Sequence, residues 1–183
     1  MGNSKKGSQF ERDFCKKLSN WYTKGERSDV FWRTANSGGM ATARAKTGGG
    51  AFGQHGDIQA VDPIGQPLLD TITWELKRGY PACSVQRILE KNSEKRALLE
   101  DFFLQAKMQA SSASTPYWAL VTKRDRRDPL IWIPKNLFVV MYVMKERPDE
   151  YIKLTTKFNI VFGFKLQYFF DITNPDLFRE GKA

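Results

Sequence analysis

Two acidic residues and a lysine in the middle of the chain have the types and spacing of a divalent-cation site. Glu75 and Lys77 lie in a strand-like segment, where successive side chains alternate faces, so the two project together while Leu76 points into a core. Asp57 precedes Glu75 by eighteen residues. Carboxylates beside an ammonium group can hold Mg²⁺ and a water next to it. A lone Glu-x-Lys on a strand is also typical of a solvated face, so the position of Asp57 decides between the two interpretations.

A β-hairpin is one way to bring Asp57 to Glu75. Residues 57–62 and 70–77 have the composition of strands, and residues 63–67 form a turn cluster between them. Simple pairing of these strands sets Asp57 opposite Glu75, with Cβ atoms about 5 Å apart. Two carboxylates facing each other are unfavourable without a cation. The sequence therefore predicts a hairpin that carries a metal site.

Length, charge and cysteine content limit the classes of protein to consider. The 183 residues suffice for one domain, and the net charge of +9 with a pI near 9.6 suggests a polyanionic partner, most simply nucleic acid. Cys15 and Cys83 have no metal-ligand spacing, which favours a reducing compartment. His55 is the only histidine, which argues against chemistry built on a histidine base. With no signal-peptide pattern and no apolar run long enough for a bilayer, we expect a cytoplasmic protein without membrane segments.

The elements before Asp57 include a helix and a glycine-rich segment. Residues 8–23 have an amphipathic helical pattern, with Ser8 and Glu11 spaced as a capping box, and a short strand follows at residues 30–33. Residues 37–56 contain seven glycines together with Arg44 and Lys46. Glycines allow close backbone approach, and the basic side chains suit phosphates. A surface loop without a ligand is the alternative.

The elements after Lys77 read as a helical region followed by strands. Residues 84–113 are helical with a break near residues 92–93, and Gln105 lies on the face where a core residue is expected. Strands at residues 117–122 and 130–133 are joined by a basic turn at residues 123–127, which is either a solvated loop or a contact to a nucleic-acid backbone. Residues 137–144 fit a buried helix or a strand.

Strict alternation of apolar residues marks the C-terminal part. Every even position of residues 158–170 is apolar, which predicts two strands or one bent strand. This apolar face either covers the sheet or forms a subunit contact. For a homodimer, the interface candidates are Phe162, Phe164, Tyr168 and Phe170.

The order of these features resembles the PD-(D/E)xK nuclease superfamily, and more specifically the archaeal-type Holliday junction resolvases and their phage relatives. Residues 7–12 stand in place of their Gly-x-x-Phe-Glu-Arg helix, and residues 33–38 match their Arg-x-x-x-Ser-Gly segment. The resemblance covers about residues 7–133. Gly56 replaces the usual proline, and the loop before Asp57 is longer than in compact resolvases, which leaves the substrate more open than the chemistry.

The resemblance implies an α/β fold with a restriction-endonuclease-like core, a mixed central β-sheet flanked by helices. Residues 1–183 would form a single domain, with the core at about residues 7–133 and an extra C-terminal β element in the extension 134–183.

The resemblance also implies roles for individual residues. Asp57 and Glu75 would be metal ligands together with the Leu76 carbonyl, and Lys77 would orient the attacking water or stabilise charge on the phosphate. Glu11 would reach the metal site through water or bind a second ion, unless its capping-box role explains it instead.

The remaining site residues carried by the resemblance and the loop are proposed DNA contacts. Arg33 and Ser37 take substrate-contact positions, Gln105 faces the site, and Arg44 and Lys46 contact phosphates. The expected function is a Mg²⁺-dependent DNA endonuclease, with Mn²⁺ able to substitute, that cuts branched DNA as a homodimeric junction resolvase. The alternatives are a repair, restriction-type or end-processing nuclease of the same fold, or a basic DNA-binding module without catalysis.

Overall fold

The computed structural model gives the fold of residues 3–34, 56–90, 96–143, 148–156 and 159–179, with the backbone only for residues 3–6. The first half of the chain contains a long helix, two short strands, two short helices and a longer strand. In chain order these are α1 (Asn3–Tyr22), β1 (Phe31–Arg33), β2 (Ile58–Ala60), a 3₁₀ helix (Pro63–Gly65), α2 (Gln66–Thr71) and β3 (Ile72–Arg78).

The second half alternates helices with the remaining strands. In chain order these are α3 (Val85–Leu89), α4 (Leu98–Ala113), β4 (Tyr117–Lys123), β5 (Leu130–Pro134), α5 (Lys135–Val143), β6 (Ile152–Thr155), β7 (Ile160–Lys165), α6 (Leu166–Ile172) and a 3₁₀ helix (Pro175–Phe178). The strands predicted at residues 117–122 and 130–133 are confirmed to within one residue. The ambiguous residues 137–144 belong to a helix, α5, as far as Val143.

Within the described residues, the central sheet has five strands in the order β3-β4-β5-β7-β6. β3 and β4 pair in parallel, and the other neighbours pair antiparallel. β1 and β2 form a separate antiparallel ribbon next to the free edge of β3. This is a mixed α/β sheet flanked by helices, as predicted. β6 and β7, from the extension after residue 133, complete the same sheet.

Two apolar layers cover the two faces of this sheet. On one face, α1, α5 and α6 form one apolar layer with strand residues that include Ile72, Trp74 and Leu76 of β3, and α1 is the helix of this layer that contacts β3. On the other face, α3 and α4 pack against Trp118, Leu120 and Trp132, among others. The two layers hold β3 between α1 and α4. In the described part of the chain, no helix combines the length and the apolar character that crossing a membrane demands.

The predicted hairpin between residues 57–62 and 70–77 is wrong, because the turn cluster forms helices instead of a tight turn. Asp62 caps the 3₁₀ helix by accepting the Ile64 N–H, and Pro63 occupies its first turn, where a missing N–H costs nothing. α2 then continues to Thr71, so β3 begins at Ile72.

The predicted capping box is also wrong. α1 begins at Asn3, so Ser8 lies inside the helix. The Glu11 carboxylate pairs with Arg33 of β1. Glu11 therefore makes a tertiary contact. A carboxylate that capped its own helix would not be available for this contact.

The C-terminal alternation spans a strand and a helix. Phe162 and Phe164 lie in β7, but the chain turns at Lys165 into α6, which buries Leu166, Phe169 and Phe170 at helical spacing. Phe169 was the sequence signal against a continuous strand, because an alternating strand would have exposed this odd-numbered aromatic residue, which is buried.

The aromatic face covers the sheet and does not form a free surface. Phe162, Phe164 and Phe170 are each less than a tenth exposed, and Phe162 stacks on Phe138 of α5 with ring centroids 3.7 Å apart. The Tyr168 hydroxyl accepts the Asp149 N–H at 3.0 Å. Phe162, Phe164 and Phe170 are therefore excluded as the core of a dimer interface, and the alternative that this face covers the sheet is correct.

Candidate active site

The free edge of β3 positions Asp57. Pairing with β4 occupies only one side of β3. On the other side, the Asp57 N–H donates to the Trp74 carbonyl at 2.8 Å, and the Leu76 N–H donates to Asp57 Oδ2 at 2.7 Å. The Asp57 carboxylate thus accepts a hydrogen bond from a backbone N–H that has no partner strand at this edge of the sheet. These contacts at the edge of β3 bring Asp57 next to the segment that carries Glu75 and Lys77.

Gly56 explains why no proline precedes the aspartate. Its φ of +79° lies outside the range that proline can adopt, and a Cβ there would meet the Trp74 carbonyl oxygen at 2.7 Å. Thr34, just after β1, anchors the same turn: its N–H donates to the Asp57 carbonyl at 2.9 Å and its hydroxyl to the Gly56 carbonyl at 3.2 Å. Thr34 is a positioning residue that the sequence pattern gave no reason to select.

Glu75 is the most deeply buried acidic group of the site. Its side chain is 1% exposed, on the face of β3 that meets α4. Its Oε1 accepts from Lys77 Nζ at 2.5 Å and from Gln105 Nε2 of α4 at 2.8 Å. Its Oε2 is also buried but accepts no hydrogen bond. Lys77 and Gln105 therefore fix one oxygen of the carboxylate and leave the other for a ligand.

Lys77 is held between Glu75 and an aromatic ring. Its Nζ lies 5.1 Å from the centroid of the Phe102 ring, at the distance of a cation–π contact. Burial pulls the pKa of Lys77 down, but the negative charges of Glu75 and Asp57 outweigh it, and the net pKa is raised. Lys77 is therefore an ammonium ion at neutral pH, and Phe102 is a second supporting residue that sequence patterns did not single out.

The pKa of Asp57 is raised to about 7. Burial is the main cause and the neighbouring Glu75 carboxylate the next, while the Leu76 N–H and Lys77 act in the opposite direction. The negative charge of Glu11 adds a small further increase. The site thus concentrates negative charge that a cation would relieve.

Glu11 and Arg33 join the site from α1 and β1. Glu11 Oε2 and Arg33 Nε form an ion pair at 3.0 Å, with both side chains largely buried. The structure therefore brings together five predicted residues around Asp57, which are Glu11, Arg33, Glu75, Lys77 and Gln105. The predicted residues Ser37, Arg44 and Lys46 lie outside the described residues.

The donor atoms fit a hard divalent cation. In the part of the chain that the structure describes, no three acidic, histidine or cysteine side chains form a metal-binding group. The site offers instead the two carboxylates of Asp57 and Glu75, one of which has a buried oxygen without a hydrogen bond. Because the N–H and C=O of one strand residue point to the same side, the Leu76 carbonyl also faces the free edge next to Asp57. One or two carboxylates with retained waters is the coordination that Mg²⁺ prefers.

A mixed sheet flanked by helices, with an aspartate at the edge of a strand that carries Glu-x-Lys, defines the class of the PD-(D/E)xK nucleases. A sequence model of the family described as "Phage putative PDDEXK endonuclease" matches residues 2–176. Because this match spans nearly the whole chain, the protein belongs to that family. No curated protein and no solved structure showed significant similarity to the chain.

Proposed function

We propose that the protein is a Mg²⁺-dependent DNA endonuclease that cuts branched DNA, as a junction resolvase does. The observation that carries the nuclease part is the buried Glu75, with one oxygen fixed by Lys77 and Gln105 and the other without a hydrogen bond. A buried carboxylate oxygen without a partner is costly. Such an oxygen beside Asp57 is explained most simply by a bound cation.

Each polar residue has a distinct task in this proposal. Asp57, Glu75 and the Leu76 carbonyl would hold the ion, and bound Mg²⁺ would supply a Lewis acid and a water of lowered pKa. Lys77, as an ammonium ion, cannot accept the water proton. Lys77 therefore orients the water or stabilises negative charge that develops on the phosphate. Gln105 acts only through Glu75, whose orientation it fixes.

Glu11 and Arg33 are proposed to act on the substrate side of the site. Their ion pair lies within electrostatic reach of Asp57. A phosphate arriving at Arg33 would compete with Glu11 for the guanidinium group, and the released Glu11 carboxylate would then be available to accept a hydrogen bond from a water molecule at the site. Ser37, Arg44 and Lys46 are proposed to contact DNA from the glycine-rich segment.

DNA as the substrate is supported by the net charge of +9 and by the endonuclease family to which the chain belongs. Branched DNA is supported by the resemblance of residues 7–12 and 33–38 to the resolvase segments. The family description includes phage, so the cytoplasm of the host cell is the proposed place of action.

A homodimer is part of the resolvase proposal. Resolving a four-way junction needs two symmetric nicks, which a two-fold dimer with one site per subunit can deliver. The contact must involve residues other than the buried Phe162, Phe164 and Phe170. Light scattering with and without junction DNA tests this, since a protein that stays monomeric on the junction contradicts the resolvase but leaves the nuclease standing.

The deciding experiment compares four DNA substrates of matched sequence: a four-way junction, a flap, a duplex and a single strand. With Mg²⁺ we expect paired nicks in the junction at a rate well above that on the duplex, and no cleavage with a chelator. Asp57→Asn is the inactive control, and Asp70→Asn, which changes an exposed carboxylate of α2, is the matched active control. Cleavage of the flap or the duplex alone would favour an end-processing or restriction-type nuclease, and binding without cleavage would favour a DNA-binding module.

A further inference from the structure

A cleft of about 270 Å³ opens beyond the carboxyl end of β3. Because β3 and β4 are parallel, both end at the same edge of the sheet, where Arg78 lies next to Lys123. The chain leaves β3 through Gly79, whose φ of +84° allows the turn. The cleft lies between this turn and the basic turn that joins β4 to β5, and its lining consists of Gly79, Tyr80, Pro81, Arg124, Asp125 and Arg127.

Tyr80 connects this cleft to the candidate active site. Its side chain is 43% exposed, and its ring contacts Phe102 nearly edge to face, with centroids 5.1 Å apart. Phe102 in turn lies 5.1 Å from the Lys77 ammonium. These two contacts place the Tyr80 ring within about 10 Å of Lys77, which corresponds to about three nucleotides at the axial rise of about 3.4 Å per nucleotide of a strand.

The cleft is also lined by cationic side chains. Arg124 and Arg127 are exposed and line it, and Lys123 holds the turn by donating to the Arg127 carbonyl at 2.9 Å. Asp125 also lines the cleft, and its carboxylate lies 3.7 Å from Arg78. A tyrosine and two arginines that line the same small cleft are a combination suited to a nucleotide, through stacking of the base and pairing with the phosphate.

We propose that this cleft binds one unpaired nucleotide of the DNA substrate, within three positions of the scissile phosphate. Its base packs on Tyr80, and its phosphate lies at Arg124 and Arg127. The inference rests on DNA as the substrate in the proposed function and adds a reason for structure selectivity. A base can reach Tyr80 only when it is unstacked from its neighbours, which occurs at branch points, flaps and strand ends but not in a paired duplex.

The test measures binding in chelator, so that it does not depend on cleavage. The probes are a duplex with a short single-stranded flap, which carries the fluorescent base 2-aminopurine near the branch, and a fully paired duplex of the same sequence. We expect the wild type to bind the flap more tightly and to quench its fluorescence on binding. Tyr80→Ala should bind the flap about tenfold more weakly, as expected for the loss of one base–aromatic contact. It should also abolish the quenching, and leave duplex binding within about twofold of the wild type.

Matched variants separate recognition from folding. Tyr80→Phe keeps the ring and should behave as the wild type. Tyr142→Ala removes a tyrosine of similar exposure, 50%, on α5 and should change neither probe. Unchanged flap affinity and quenching in Tyr80→Ala would overturn the base contact, and so would an equal loss on flap and duplex.

The arginines are tested by the salt dependence of flap binding. The double variant Arg124→Gln with Arg127→Gln should reduce the slope of log K against log salt, by about 0.7 for each lost phosphate contact on a single strand. Arg126→Gln, in the same turn but outside the cleft, is the control and should leave the slope unchanged. An unchanged slope in the double variant would overturn the phosphate contact.

The proposed function and this subsite can fail separately. Absence of Mg²⁺-dependent cleavage by the wild type, with flap binding that still depends on Tyr80, would overturn the nuclease and support the cleft. Cleavage that needs Asp57, with flap binding indifferent to Tyr80, would overturn the cleft and support the nuclease.

Discussion

The two faces of β3 differ in what they do, although their residues alternate along one short strand. Ile72, Trp74 and Leu76 belong to the apolar layer under α1. Thr73, Glu75 and Lys77 project toward α4, where Glu75 accepts a hydrogen bond from Gln105, and Thr73 is hydrogen-bonded to Thr115 just after the end of α4. One face stabilises the fold by burial, and the other holds charged groups in a place where burial disfavours them.

This difference indicates how the site is held rigid. The apolar face fixes the strand, and the polar face has its side chains restrained by neighbours from α4 and by the Lys77–Glu75 pair. Changes on the polar face should therefore reduce activity at little cost in stability, and changes on the apolar face should do the reverse.

The largest effect is expected from removing a metal ligand. Glu75→Gln and Asp57→Asn should each lower the Mg²⁺-dependent cleavage rate by about 1000-fold or more, because each removes part of a charge stabilisation worth several kcal/mol. Single-turnover cleavage of the best substrate measures it. Wild-type rates in both variants would show that β3 does not carry the active site.

Leu76, next to Glu75 but on the apolar face of β3, should show the opposite effect, a loss of stability rather than of activity. Leu76→Ala should lower the free energy of unfolding by about 2–5 kcal/mol, as expected for a Leu that is only 6% exposed. The cleavage rate per folded molecule should stay within about threefold of the wild type, because the Leu76 backbone and not its side chain faces the site. Urea unfolding and active-site titration measure the two quantities. A collapse of activity at unchanged stability would contradict the division of the faces.

A smaller loss is expected at Gln105. Gln105→Ala removes the donor that fixes Glu75 Oε1, and loss of such a supporting hydrogen bond lowers metal affinity about 10- to 100-fold. Cleavage rates over a Mg²⁺ series should show a higher half-saturation concentration with a nearly unchanged maximum. Ser112→Ala, which removes an exposed polar side chain two turns further along α4, is the control. Equal behaviour of the two variants would assign Gln105 no part in the site.

The last effect concerns the pH dependence of stability and follows from the raised pKa of Asp57. Its pKa is raised from 3.8 to about 7, so the folded protein retains a proton that the unfolded chain has already lost. Without metal, this group's contribution to stability is complete below about pH 4 and is lost as the pH rises to about 7. Mg²⁺ should reverse that loss and bind more tightly as the pH approaches 7.

Thermal melts across pH in chelator and in Mg²⁺ measure this, with Asp57→Asn for comparison. In chelator, the melting temperature of the wild type should fall relative to that of Asp57→Asn as the pH rises from about 4 to about 7. A difference that stays constant over that range would show that Asp57 keeps its ordinary pKa.

Much of the site was predictable because its signals are local. The alternation of Glu75, Leu76 and Lys77 assigned each side chain to the correct face. The helical position of Gln105 placed it on the inward face of its helix, and the family resemblance implied that it faces the site. The ion pair of Glu11 with Arg33 joins residues from separate elements, and the supporting roles of Thr34 and Phe102 likewise depend on tertiary neighbours.

By itself, the sequence determined the strand that carries Glu75 and Lys77, the strand that follows α4, and the class of chemistry, since each depends on residue types and short-range periodicity. Only the tertiary structure determined how Asp57 is positioned next to Glu75. It reaches β3 as a cap on a free sheet edge, because residues 63–71 are helical and cannot close a hairpin. The tertiary structure also determined which of the C-terminal aromatic residues lie in a strand and which in a helix. An alternating pattern is compatible with a strand followed by a helix, and only packing against α1 and α5 separates Phe164 in β7 from Phe170 in α6.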